Sequence, residues 1–526
     1  MGEIDDVIAV DPLIWAHHRA VKLAGGIPFS LDGRKYLVGL TGHKVSHIKK
    51  GSQVGATTLK FLDAVHGCVY LKYTQNILYM MPTVKAAEKM SKVAFSPILN
   101  QNGWIKRMVS NDSAGIKTIN GRSILFVGGQ QESVSDSRAK DCLQLKSVSA
   151  DVVLRDEVDA MEDAVVEMSK QRLNNSLQRI EGNFGTPMVP GFGIDALFES
   201  GTQNKWQIPC GSCGSYTCLV ESFPRSVLLV DDKWRRSCLN CGAEIFVDNG
   251  DWQPDFPDRR EQSFWISGLL SPRADLEEYM HRWNHTKSDY AVVEFERSIL
   301  GRASIESDCQ LGVHDVLTMC QPEGMRTAAH ETCQGVDVGE ILHVVTGIRT
   351  GKDKYRILHI GEFGSFQELS VFNEKMGVKY CVIDKGPDIH GVKAFQNAEP
   401  YRVYRCQYSE NQMQKPNFDR KTGVVKCNRN EVCDNVHAVY TGEQIILPRE
   451  TPTIREYALA MTKTAKVTDH HPDTGQPKTR WVKLGDKNDH YFHATGYFML
   501  ACSQTPPIRH EGRTTNRIKI RSRHYV

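Results

Sequence analysis

No apolar run in these 526 residues approaches the roughly 18 needed to cross a bilayer. The opening Met1-Gly2-Glu3-Ile4-Asp5-Asp6 is acidic where a secretory leader is basic. Neither a membrane span nor a leader is expected, and a cytosolic protein is the reading. Internal repeats and low-complexity tracts are also missing, which argues against a solenoid or a fibrous architecture. Net charge is scarce, since 65 basic and 62 acidic side chains leave +3, so bulk charge argues neither for nor against a nucleic-acid partner. The asymmetry that exists lies at the C-terminus, where Arg509, Arg513, Arg517, Lys519, Arg521 and Arg523 face only Glu511. A basic tail over 506–526 reads either as a tether for DNA or an acidic surface, through counterion release, or as a solvated end.

The chain is longer than one hydrophobic core usually organises, so two or three domains are expected. A composition of 40% hydrophobic and 24% charged residues fits a globular protein. Fifteen cysteines in a cytosolic setting point to reduced thiols and metal ligands more than to a disulfide framework.

Two segments carry nucleotide chemistry. Lys50-Gly51-Ser52-Gln53-Val54-Gly55-Ala56-Thr57 has the glycines and the hydroxyl of a phosphate-binding loop, with a helix expected from Thr58 through Ala64. In such a loop the N–H groups at a helix N-terminus hold phosphate, and Thr57 can ligate Mg²⁺. The usual lysine is missing, because Ala56 occupies its position; Lys50, with Lys49 beside it, is the nearest source of positive charge. The second segment is the apolar run from Asp151 to Leu154, which continues through Arg155 into Asp156-Glu157 and suits a buried parallel strand. There Asp156 can hold Mg²⁺ through water and Glu157 can polarise the attacking water. Between the two, Ser123–Val127 reads as a further strand, and Arg138 in the polar turn after it is a candidate charge-stabilising finger, in cis or from a neighbouring subunit, or an ordinary surface arginine. Phe184-Gly185-Thr186-Pro187 ends another strand, where a backbone switch can sense hydrolysis.

The lysine ahead of the glycines, the Val-Leu-Arg-Asp-Glu-Val-Asp strand end and the following Gly-Thr-Pro resemble the large terminase subunit of tailed bacteriophages, closest to its lambda-type branch. In that family the loop lysine often stands first, which Lys50 matches. The segment from Pro28 through Tyr36 resembles, loosely, the one that contacts adenine. The resemblance implies an α/β chain with a P-loop ATPase domain and an RNase H-like nuclease domain. It implies an ATP-driven motor that packages viral double-stranded DNA, with a small terminase subunit and the procapsid portal as partners. A homo-oligomeric ring during packaging, and a host-cytoplasmic protein docked transiently on the procapsid, follow from the same likeness.

Cys210, Cys213, Cys238 and Cys241 form two CxxC pairs whose turns let four thiolates converge on one tetrahedral Zn²⁺. Four thiolates leave no open coordination position, so a structural ribbon over about 206–250 is expected. Downstream, Gly335-Val336-Asp337-Val338-Gly339 opens a strand pattern running on through Ile341–Gly347, Asp384 ends another strand, and Asp489 precedes a helix-like stretch. Three such carboxylates can hold two Mg²⁺ or Mn²⁺ ions. Their order and contexts, including the Asp-x-x-x-His-Ala run at Asp489, His493 and Ala494, are similar to the terminase nuclease. Glu340, Glu362 and Asp388 are rivals for an auxiliary role.

The resulting expectation is a lead-in segment over 1–24, an ATPase domain over 25–325, a nuclease domain over 328–505 and the tail. Two other readings compete. A helicase-nuclease of repair or restriction needs a second RecA-like lobe, and no motif of one follows residue 250. A zinc-ribbon DNA-binding protein with degenerate sites is favoured by Ala56, whereas intact Asp156, Glu157, Asp337 and Asp489 weigh against it.

Overall fold

The computed structural model describes residues 3–130, 132–133, 140–141, 143–286, 288–306, 309–399, 402–409, 415–470, 477–484 and 489–506. The chain divides into two compact units, Met1–Ser307 with Val467–Thr479, and Asp308–Lys466 with Arg480–Val526. The division falls ahead of the 325/328 boundary expected from sequence. Residues 309–325 go with the second unit because the helix Val313–Leu317 packs on the helix Pro452–Met461 and Cys320 bridges to Leu447. Both units are mixed α/β. No helix among the described residues is long and apolar enough to cross a membrane.

An eleven-stranded sheet organises the first unit. Its core strands are β1 (Val45–Lys50), β2 (Asn76–Met81), β3 (Arg122–Gly128), β4 (Ala150–Asp156), β5 (Ile180–Gly185), β6 (Asn204–Pro209) and β7 (Gln262–Ile266). They run parallel in the order β6-β7-β1-β5-β4-β2-β3, so all their carboxyl ends open on one edge, where open parallel sheets bind ligands. β4 is buried at every position, which a parallel sheet covered on both faces requires and which its apolar run reflects. Asp151, Arg155 and Asp156 are its buried polar positions, and the Arg155 guanidinium is met by Glu181 at 2.7 Å, Asn183 at 2.8 Å and Ser169 at 2.9 Å; a buried charge left unpaired would cost several kcal/mol.

Helix α1 (Ala56–Val69) follows the loop after β1 and is longer than expected. It buries Leu59, Phe61, Leu62, Val65 and Cys68, an i, i+3, i+6 stripe facing the core, with Phe61 stacked on Phe95 at 3.8 Å. Gly55 caps it at φ 93°, a left-handed conformation open to glycine and strained for other residues.

The second unit is built on an eight-stranded sheet. Strands β8 (Thr332–Val338), β9 (Leu342–Gly351) and β10 (Lys354–Phe363) form an antiparallel meander, and β11 (Val378–Asp384), β12 (Arg402–Tyr408) and β13 (Val424–Cys427) extend it in parallel from β8. The single pattern read from Gly335 to Gly347 is thus two strands with a reversal at 339–341. Helix α2 (His490–Cys502) lies across β8, buried everywhere except at His490 and His493. Gly335 permits that crossing, since a Cβ there would lie 2.0 Å from the Ala494 carbonyl oxygen and 2.2 Å from the Phe498 nitrogen.

Candidate functional site

Lys50 ends β1 and Asp156 ends β4, with β5 between them, so both side chains emerge at the same sheet edge. Lys50 Nζ donates to Glu157 Oε1 at 2.8 Å and lies 3.9 Å from Asp156 Oδ1. Thr57 Oγ1, in the first turn of α1, donates to Asp156 Oδ2 at 2.9 Å, and the Tyr79 hydroxyl of β2 donates to the same oxygen at 3.2 Å. Lysine, hydroxyl and both acids therefore meet, as expected from residues far apart in sequence. Burial alone would discharge the Lys50 ammonium, but Glu157 and Asp156 outweigh it and hold its pKa above the ordinary value. Asp156 is raised to about 6, chiefly by burial and further by Glu157, with Lys50 and the two hydroxyls opposing. Its Oδ1 is buried and accepts no hydrogen bond. A buried carboxylate oxygen with an unused lone pair, beside a threonine hydroxyl, is a hard donor set that fits Mg²⁺.

Glu157 differs from its neighbours in access. Its side chain is 39% exposed while that of Lys50 is 7% exposed, so it is the acid that a bound molecule can reach. It adopts a left-handed backbone, φ 58°, uncommon for a side-chain-bearing residue and a feature of functional sites. The N–H groups of the first turn of α1 have no i−4 carbonyl to bond, and they complete an anion-binding cradle. Arg138 lies outside the described residues.

Several residues of this site were not legible in the motifs. Glu157 Oε2 accepts from the Thr186 amide at 3.0 Å, Asp159 accepts from Met188 at 3.0 Å and Ile194 at 2.6 Å, and Asp195 accepts from Gly191 at 2.8 Å while pairing with Lys49 at 2.9 Å. Three carboxylates thus tie down the backbone that follows β5. Burial raises Asp159 to about 7 against the pull of those amides. The signal available was Asp159 itself, two residues past Glu157; the amides it holds are unreadable without the fold.

In the second unit, β8 and β11 pair with Val336 opposite Ile383, which sets Asp337 and Asp384 at neighbouring register positions. Asp384 is raised by burial and then by Asp337. Asp489 caps α2 and brings His490 Nδ1 to 2.6 Å from Asp337 Oδ2. Asp489 itself lies 3.4 Å from His493 and 3.8 Å from Lys483, and these partners hold it below the ordinary carboxylate range although burial opposes them. Glu362 pairs with His343 at 3.3 Å and accepts from the Tyr491 hydroxyl at 3.4 Å. Asp388 caps the helix Ile389–Ala398 by accepting from Gly391 at 2.8 Å, which gives it a structural task, and Glu340 is exposed.

Among the described residues, the one group of three or more histidine, cysteine or acidic residues whose ligand atoms all lie within 4.8 Å of one another is Cys210, Cys213, Cys238 and Cys241. The three aspartates are neighbours through register and helix packing and do not form a closed shell. The sulfurs do, with Cys210 to Cys241 at 3.6 Å and Cys213 to Cys238 at 3.7 Å. A tetrahedral zinc with Zn–S near 2.3 Å separates its sulfurs by roughly 3.8 Å, so the donor set and spacing fit that ion.

Residues 41–251 match the family model of the phage terminase large subunit gpA, ATPase domain. No curated protein matches the chain. Among solved structures, the large terminase of the thermophilic bacteriophage D6E aligns at 14% identity over 90% of this chain and 98% of its own, with a TM-score of 0.31. Its complex with ADP aligns at 13% identity over 89% and 98%, also at 0.31. The large terminase ATPase domain of Thermus phage P74-26 aligns at 13% identity over 53% of this chain and 96% of its own, at 0.30.

Proposed function

Since residues 41–251 belong to the ATPase-domain family of phage terminase large subunits, we propose that the whole chain is a terminase large subunit of the lambda-type branch. It hydrolyses ATP to drive double-stranded viral DNA into a procapsid, and it cuts that DNA with a metal-dependent nuclease site in its second unit. The observation that carries the reading is the meeting of Lys50, Glu157, Asp156 and Thr57 at the carboxyl edge of a parallel sheet. Lys50 supplies the cation that the loop lacks at Ala56, and the amides of α1 bind phosphate oxygens. Thr57 and, through water, Asp156 would hold Mg²⁺, which when bound would neutralise charge on the β- and γ-phosphates. Glu157 orients the attacking water and takes its proton. Glu157 is held by Lys50 and the Thr186 amide; phosphate competes for Lys50 and frees the acid, which couples catalysis to the backbone after β5.

The nuclease reading rests on Asp337, Asp384 and Asp489. Their oxygen donors suit Mg²⁺ or Mn²⁺, and Asp384, whose proton affinity is raised by burial and then by Asp337, is relieved by a divalent cation. The fold is read as RNase H-like, with the small subunit, the portal and further copies of this chain as partners. ATP hydrolysis and plasmid cleavage by the purified chain, with and without procapsids, test both halves. A chain without ATP turnover under either condition would contradict the motor.

A further inference from the structure

We propose that the cysteine-clustered ribbon is a clamp on the nucleotide loop, so that zinc occupancy sets nucleotide affinity. The inference rests on the ATPase reading above. Two independent paths lead from the ribbon to the loop, both inside the first unit.

The first runs through residues 33–38. Asp248, at the end of the ribbon, accepts hydrogen bonds from the Gly33 amide at 2.8 Å and the Lys35 amide at 3.3 Å. Trp252 Nε1 donates to the Tyr36 carbonyl at 3.1 Å and the Val38 carbonyl at 3.0 Å. The segment so held touches the loop directly, because the buried Tyr36 hydroxyl donates to the Val54 carbonyl at 3.1 Å. Leu37 packs on Gly55, where an added Cβ would lie 3.7 Å from its methyl.

The second path begins at Arg236, two residues before Cys238. Its guanidinium donates to the Leu269 carbonyl at 2.7 Å and the Ser271 carbonyl at 2.8 Å. The turn it grips is packed on the other end of the loop, since a Cβ on Gly51 would come 3.1 Å from the Gly268 nitrogen. Gly51 also donates to the Ile266 carbonyl at 2.8 Å. Two segments that the ribbon holds therefore support the loop at Gly51 and at Val54-Gly55, beside a third support at Ser298, whose carbonyl accepts from the Ser52 amide at 2.6 Å. In the ribbon hairpin, Val227–Val230 with Lys233–Arg236, Leu228 and Leu229 are exposed, while the ribbon's Leu219, Val220, Phe223, Val227 and Ile245 are buried in the first unit's core; the four sulfurs close the two turns that carry Arg236 and Asp248 back to that core. Loosening the ribbon frees the two supports it holds, and ordering them again on binding costs affinity.

The test uses the full chain and a fluorescent ADP analogue. Removing zinc with a chelator is expected to weaken the analogue's binding about tenfold, within the usual range of coupling between sites. By reciprocity, saturating nucleotide tightens zinc by the same factor, which is read as zinc transfer to a chromogenic chelator with no catalysis involved. Asp248→Ala, and Trp252→Phe, which keeps ring packing and deletes the donor, are expected to raise KM for ATP and leave kcat near the parent value, whereas general damage to the fold lowers kcat. Nucleotide affinity unchanged in both variants and after zinc removal overturns the clamp while leaving the ATPase intact. Purified chain that holds no zinc yet binds nucleotide fully also overturns it. An intact chain that binds no nucleotide at all overturns the ATPase reading first.

Discussion

The nucleotide site of the first unit and the carboxylate site of the second balance their buried charge in different ways. In the first, the compensating cation is a lysine built into the sheet, 2.8 Å from Glu157 and 3.9 Å from Asp156, one ammonium shared by two acids. In the second, the acids are met by neighbours from α2 and its flank, His490 on Asp337 and His493 with Lys483 on Asp489, while Asp384 stays raised. The difference teaches where each ligand's binding energy goes. Phosphate entering the first site must compete for a lysine already paired. On the nuclease reading proposed above, a divalent cation at the second would have to displace histidines and draw the acids together.

The largest effect that can break this comparison is in the first site. Glu157→Gln keeps the size and the hydrogen-bonding edge of the side chain but cannot take a proton, so turnover is expected to fall by ~10²–10⁴ while nucleotide still binds. Lys50→Ala is expected to lose turnover too, because it leaves Asp156 and Glu157 facing each other without their cation. Full turnover in Lys50→Ala, measured by phosphate release, would show that the loop's charge comes from elsewhere.

Next in size is the separation of the two engines. Asp337→Ala or Asp489→Ala is expected to abolish Mg²⁺- or Mn²⁺-dependent plasmid cleavage, since losing a bridging ligand disperses a two-ion site. ATP hydrolysis in the same preparations should stay near the parent value, and Glu157→Gln should still nick plasmid. A folded Asp337→Ala protein that had lost both activities would mean that the chemistry is shared.

A smaller effect concerns metal content. Elemental analysis is expected to find about one zinc per chain, falling when Cys210 and Cys213 are both changed to serine. Absence of metal from protein prepared without chelator would remove the zinc.

The mildest contrast lies in acid. Burial lowers His66 of α1 to about 4 while its Nε2 stays 2.8 Å from the Ile8 carbonyl. Its folded pKa lies below the ordinary histidine value, so unfolded chain takes up the proton first as pH falls. Stability is complete above about 6.5 and declines as pH drops from there toward 4. Thermal melts should show that decline in the parent, and His66→Gln, which can still donate to Ile8 but does not titrate, should flatten it. Equal decline in both proteins would assign the effect to other groups.

What could be read without the fold was local. The glycines of the loop, the apolar run ending in Asp156-Glu157 and the paired CxxC motifs each act over a few residues, where turn and strand geometry follow from the side chains themselves. The expected helix after the loop began two residues late and ended early, at Ala64 instead of Val69, because tertiary packing prolongs helices beyond their signals. The hairpin reversal at 339–341 was read through, since apolar residues on both sides mask a turn.

Residue order alone shows which chemistries are on offer: a glycine loop without the usual lysine, a strand-end acid pair, four thiols at metal spacing and three isolated aspartates. Which of these groups meet is a matter of the fold. Lys50 reaches Glu157 across 107 positions of chain because parallel strands with β5 between them end on one edge. Asp337 meets His490 across 153 positions because Gly335 lets α2 lie against β8. Asp248 and Trp252 grip the segment at 33–38 across more than 200 positions. Such contacts depend on strand order and on close approach of backbones, and neither is encoded in any window short enough to carry a periodic signal.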